Sequence, residues 1–115
     1  MIESVAWFKE NAEMTTHPVG KKQGNPLGLH DMCGNVWEWC LDHAYRRNKQ
    51  VVTTTYRKNS IDPLSSEGSK RVVRGGSWRR DASQCTVTSR QCFIAPSCAN
   101  SLGFRLCLGP ILPTK

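Results

Sequence analysis

Asn25-Pro26-Leu27-Gly28-Leu29-His30-Asp31-Met32-Cys33-Gly34-Asn35-Val36-Trp37-Glu38-Trp39-Cys40 is the stretch on which the reading of this 115-residue chain turns. Its first half is punctuated by Asn25-Pro26 and Gly28 and continues a turn-rich lead-in from Thr15 through His17-Pro18 and Gly24. From Met32 to His43 the chain alternates polar, aromatic and apolar positions. Val36, Trp37 and Trp39 in one run favour an extended, buried segment. Glu38 sits between two tryptophans, where an unpartnered carboxylate is costly, so the segment has to bring it a cation.

Outward from that run the signals are shorter. Residues 1–13 place Ile2, Val5, Ala6, Trp7 and Phe8 among polar residues, which predicts a short helix or edge segment. Residues 44–70 are the most polar stretch and read as a long surface loop. Arg71-Val72-Val73-Arg74 reads as a strand stopped by Gly75-Gly76, a further strand is expected around Cys85–Ser89, and a last one over Gly103–Leu108. Short strands joined by long loops predict a single α+β domain of low regular structure, with antiparallel strands. Four Trp and three Phe are enough to build a core for it.

Sixteen Lys and Arg against nine Asp and Glu give a net charge of +7. The basic residues are scattered as Lys21-Lys22, Arg46-Arg47, Arg57-Lys58, Lys70-Arg71 and Arg79-Arg80, without a helical stripe or a nucleic-acid motif. That pattern favours a solvated surface over a nucleic-acid footprint. No stretch has the length of a membrane span, and Met1–Trp7 lacks the basic-then-apolar order of a signal peptide, so a cytoplasmic location is expected. The six cysteines then remain thiols by default. They contain no C-x-x-C pair for zinc, and His17, His30 and His43 stand in separate loops.

Three blocks follow one another: the Asn25–Cys40 run, Arg74-Gly75-Gly76-Ser77-Trp78, and Leu102-Gly103-Phe104-Arg105. In this order they resemble the formylglycine-generating-enzyme, or sulfatase-modifying-factor, family, and His17-Pro18-Val19-Gly20 resembles the family's lead-in. The resemblance spans residues 5–108 and implies a C-type-lectin-like fold. It covers only the C-terminal part of the family's domain, so a shortened domain or a fragment is expected. A homo-oligomer is one way to cover the missing half.

The resemblance also implies metal chemistry. Asp31, Gly34, Val36 and Glu38 match the positions that hold a calcium ion in the family. A hard cation suits such a mixture of carboxylates and backbone carbonyls. The ion-free alternative pairs Glu38 with an arginine, Arg74 or Arg105. The family's catalysts oxidise a sulfatase cysteine to formylglycine with molecular oxygen and copper(I), held by two cysteines shortly after the Gly-Gly-Ser block. Soft thiolates suit Cu(I). Here the second of these positions is Cys85 but the first is Arg80, and Ser77 matches a serine beside the family's active site. Cys92 lies seven residues past Cys85, an odd separation that on one strand would put the two on opposite faces. Arg80 could lower the pKa of Cys85 by proximity, whereas burial as a small hydrophobe is the plainer role for Cys85 and for Cys33, Cys40 and Cys107. The expected function is therefore a non-catalytic, calcium-supported module with a loop-built surface for a peptide, sugar or protein ligand. The alternative is a copper-dependent formylglycine-generating oxidoreductase using Cys85 and Ser77.

Overall fold

The alternation that begins at Val36 becomes the longest element of the protein, β1, Trp37–Arg47. The computed structural model describes residues 1–53 and 64–109. Four more strands follow: β2, Gln50–Val52; β3, Lys70–Arg74; β4, Arg90–Phe93; and β5, Leu102–Gly103. The sheet runs β2-β1-β3-β4, with neighbours antiparallel, and β5 joins β1 in parallel. Among the described residues the only helices are two single turns of 3-10 helix, Ile2–Ser4 and Ala82–Gln84. Few helices and short, mainly antiparallel strands give the expected α+β domain of low regular structure. Among the described residues no helix is long and apolar enough to cross a membrane.

The core lies where β-branched and aromatic residues meet the sheet. Val72 and Val73 in β3 are fully buried, and Val72 packs with Ala44 of β1 and Cys92 of β4. Trp37 and Trp78 are nearly buried as well. A second cluster gathers Ala6, Phe8 and Cys85, so the N-terminal segment closes over the far side of the Gly-Gly-Ser block. Of the short helix or edge segment expected over residues 1–13, the helical part is one 3-10 turn, Ile2–Ser4, after which the chain makes a parallel bridge from Trp7 to Gly34.

Three expectations are corrected. The stretch 44–70 is not one loop: β1 continues to Arg47, turns at Asn48 and Lys49, both with positive φ, and returns as β2 with Arg47 opposite Gln50. Ser65 is buried, its N–H donating to Asp42 and its carbonyl accepting from His43. The middle of the expected loop, 54–63, lies outside the described residues. Cys85–Ser89 is not a strand; a 3-10 turn leads into Cys85 and the strand begins at Arg90. The last strand stops at Gly103. Its partner β1 is irregular between Trp39 and His43, where four steps along β1 match two along β3, and such a bulge bends a strand out of register. Phe104, Leu106 and Cys107 are consequently exposed, so Cys107 has no core role.

Candidate functional site

The loop between Asp31 and Glu38 is bent by a run of left-handed backbone. Asp31, Gly34 and Asn35 have φ of 55°, 77° and 61°. At Gly34 glycine is obligatory: a Cβ there would lie 2.2 Å from the carbonyl oxygen of Trp7. The Asn35 side chain locks the bend from inside. It is buried, accepts from the His17 N–H at 3.1 Å and donates to the His17 carbonyl at 3.0 Å. That pairing fastens the His17-Pro18 lead-in to the loop, while the His17 ring stacks on Trp7 at 3.7 Å.

Asp31, Val36 and Glu38 come together on one cavity of about 350 Å³, with Arg105 on its wall. Gly34 does not line it; it shapes the bend and is buried behind. Glu38 has found an arginine: Arg105 grips it with two hydrogen bonds of 2.6 Å, Nε to Oε2 and Nη2 to Oε1. The same Nη2 reaches the carbonyls of Asp31 at 3.2 Å and His30 at 3.1 Å. Glu38 thereby holds the Arg105 pKa above its ordinary value. Arg74 faces Glu38 across the β1–β3 ladder without being its ion-pair partner. Asp31 is buried, and only its Oδ2 is used, accepting from the Gly20 N–H at 2.8 Å. Oδ1 is buried and has no hydrogen-bond partner among the described residues. Because a buried carboxylate oxygen without a donor is costly, Asp31 fits a cation. Glu38 fits the same ion only if it releases Arg105. Among the described residues no group of three or more His, Cys, Asp and Glu side chains stands together, so backbone carbonyls would have to complete any oxygen shell.

Cys85 lies in the second cluster and is almost completely buried. Its Sγ sits 3.5 Å from the Ser77 carbonyl and 3.8 Å from the Arg80 carbonyl. Burial pushes the Cys85 thiol pKa up; the hydrogen bond to Ser77 opposes this, and Arg80 opposes it least of all. The activation that Arg80 could bring is outweighed by desolvation, and Cys85 takes the plainer role of a buried small hydrophobe. Gly76 is what allows the close packing, since a Cβ there would stand 2.8 Å from the Cys85 Sγ. Ser77 is buried too, and its Oγ accepts from the Arg79 N–H at 3.3 Å, the backbone-capping role its turn suggests. Cys92 belongs to the other cluster, against Ala44 and Val72, so it does not supply Cys85 with a partner thiol. Cys33 takes the core role expected of it, but its neighbour was not foreseen: it packs against the Cys85 cluster and raises that thiol further. Spacing gave no sign of it, because 52 residues separate the two.

A larger cavity, about 470 Å³, has Ser77 in its wall. Trp37, Phe93 and Leu102 give it apolar walls, and Ser77, Arg79 and Arg80 bring polar ones. The segment that follows β4, residues 97–101, forms its lip.

Residues 2–109 match the sulfatase-modifying factor enzyme 1-like domain. The chain belongs to this family. The formylglycine-generating enzyme of Thermomonospora curvata is 35% identical over 106 residues, covering 89% of this chain and 34% of that relative. Among solved structures, Treponema denticola variable protein 1 superposes with a TM-score of 0.71 at 36% identity, over 89% of this chain and 35% of the other. CarF superposes at 0.57 and 25% identity, over 88% and 31%. This sulfatase-modifying-factor chain thus spans about a third of the length of the relatives it matches.

Proposed function

We propose that this chain is a non-catalytic module of the sulfatase-modifying-factor family, a calcium-supported scaffold that presents a loop-built binding surface. The observation that carries the reading is the pair of residues at the family's copper positions. Arg80 offers no ligand to a soft metal, and Cys85 is buried with its thiol pKa raised, which disfavours the thiolate such an ion needs. The scaffold chemistry remains: Asp31 keeps a buried oxygen without a donor, and Glu38 stands on the same cavity. The binding surface is the larger cavity with its lip of residues 97–101, since loops on a rigid sheet diversify without loss of fold. The reading keeps the chain in the cytoplasm, with its cysteines as thiols.

One observation favours the catalytic alternative. Cys33 packs against the cluster of Cys85, so a second thiol is at hand although Arg80 replaces the expected one. Two thiolates side by side would supply the near-linear sulfur coordination that Cu(I) accepts.

Thermal unfolding of the reduced protein in calcium, in EDTA and with Cu(I) separates the two, because a ligand that binds only the native state raises its stability. A calcium shift without a copper shift is expected. A copper shift abolished by Cys85→Ser or Cys33→Ser, together with oxidation of a cysteine in a sulfatase peptide, would overturn the non-catalytic reading.

A further inference from the structure

The larger cavity has a charge character that the scaffold reading leaves unused. Among the described residues its lining contains two guanidinium-bearing residues, Arg79 and Arg80, three serines, Ser77, Ser97 and Ser101, and no carboxylate. The Arg79 side chain and the Arg80 backbone are held by their surroundings. The Arg79 guanidinium lies 5.2 Å from the Trp78 ring centroid, and Trp78 is itself nearly buried. The Arg80 backbone is tied at both ends, its N–H donating to Ser77 and its carbonyl accepting from Lys9. Asp81, the acid adjacent in sequence, is engaged elsewhere: its Oδ1 pairs with Lys9 at 3.2 Å. Among the described residues Arg80 has no carboxylate partner.

The Ser97 hydroxyl already donates to the Ile94 carbonyl, which leaves those of Ser77 and Ser101; two cations with these hydroxyls, and no acid among the described lining residues, are complementary to an anion. The walls narrow the choice. Trp37, Phe93 and Leu102 offer apolar surface beside the charges, which a free phosphate or a nucleic-acid backbone would leave unused. A neutral sugar would need acceptors as well as donors, and the lining's side chains offer only serine oxygens for that. From this lining we infer that the cavity binds an acidic peptide segment, a Glu or Asp carboxylate between Arg79 and Arg80 with a neighbouring apolar side chain against Trp37, Phe93 and Leu102. The inference rests on the binding-module reading and supplies its ligand class.

The test uses the 115-residue chain with calcium present and copper absent, and two fluorescein-labelled peptides, acetyl-Gly-Leu-Glu-Leu-Gly and its Gln counterpart, followed by anisotropy. The Glu peptide is expected to bind about tenfold or more tightly than the Gln peptide, the usual worth of a charge-assisted hydrogen bond. Arg80→Gln and Arg79→Gln should each remove about tenfold, with the melting temperature unchanged. Ala99→Glu, which places a carboxylate on the lip while keeping both arginines, should weaken binding as an internal competitor. Lys49→Gln, on the turn between β1 and β2, is the remote-charge control and should have no effect. Equal affinity for the two peptides, an Arg80→Gln loss no larger than that of Lys49→Gln, or indifference to Ala99→Glu would overturn the inference. So would a single-stranded DNA that displaces the peptide at lower concentration with the same arginine dependence. The probe peptides carry no cysteine. A copper-dependent activity would therefore sink the non-catalytic reading and leave this result standing, whereas peptide indifference would do the reverse.

Discussion

Arg105→Ala tests how the Asn25–Cys40 loop is held. In the native protein one guanidinium makes four hydrogen bonds, two to the Glu38 carboxylate and one each to the carbonyls of His30 and Asp31. Hydrogen bonds to a charged group contribute about 1.5–3 kcal/mol net when sheltered. Here the Arg105 side chain is 37% exposed and Glu38 21%, so solvent screening discounts the sum. About 2 kcal/mol for the whole arrangement is the reasoned figure. In a domain of this size that lowers the melting temperature by roughly 6–10 °C. Arg105→Lys keeps the charge but loses the two-pronged geometry, so about half of the loss is expected. A double-mutant cycle with Glu38→Gln in EDTA should give a coupling of about 1–2 kcal/mol. Calcium adds a second readout. Once Arg105 is removed, Glu38 is free to join Asp31, so the calcium-induced shift should be larger in Arg105→Ala than in the parent protein. A coupling under about 0.5 kcal/mol would refute the assignment of Arg105 as the clamp. A calcium shift that shrinks in Arg105→Ala would refute the shared use of Glu38.

Three further outcomes follow from the same geometry. Gly34→Ala puts a methyl 2.2 Å from the Trp7 carbonyl at a φ of 77°, so loss of more than about 3 kcal/mol is expected in denaturant titration, and the variant should show no native baseline if the domain is marginal. Asn35→Asp replaces a donor to the His17 carbonyl by an acceptor in a buried site; about 2–4 kcal/mol of destabilisation is expected, and a shift under 1 kcal/mol would contradict the pairing. Burial raises the Cys33, Cys40 and Cys85 thiols above the ordinary 9.0. Their contribution to stability is therefore complete below pH 9.0 and declines as the pH rises from there through the higher folded values. Cys85→Ala should flatten that alkaline decline. In native protein at neutral pH, iodoacetamide should label exposed Cys98 and Cys107 first and Cys85 only after unfolding.

What could be read from the residues, and what could not, divides by the range of the interactions. Val36, Trp37 and Trp39 announced β1, and Arg71–Arg74 announced β3, because aromatic and β-branched residues carry their preference for a pleated, half-buried surface locally. The end of β1 was hidden. Beyond Ala44 the strand leaves the core and pairs only with β2, so both faces are polar and the alternation that marks a half-buried strand disappears. Its turn, Asn48-Lys49, has one residue suited to positive φ and one that is not, and it lacks the Asn-Gly signal of a tight hairpin. The final strand failed for the opposite reason. Leu102, Phe104, Leu106 and Leu108 alternate as a strand should, but a strand needs a partner edge, and the β1 irregularity past Trp39 withdraws it.

The candidate site was legible to the same extent. The motif brought Asp31, Val36 and Glu38 to one cavity, because the bend at Gly34 is written into consecutive residues. The partner of Glu38 was not, since choosing Arg105 over Arg74 depends on where the chain goes after Gly103. That choice matters for how the site works. Arg105 already supplies Glu38 and two nearby carbonyls with positive charge, while the Asp31 Oδ1 is left without a donor a few residues away. An added cation would therefore gain a carboxylate oxygen that nothing satisfies but would compete with an internal guanidinium for the second. On the calcium reading proposed above, the stabilisation an added ion would bring is limited by this competition, and its size would be set by a residue that belongs to the third sequence block and not to the loop itself. The first and third blocks form one electrostatic unit: the Arg105 guanidinium neutralises a carboxylate that lies more than 60 residues earlier in the chain, so a change at Arg105 is expected to alter how that loop meets an added cation.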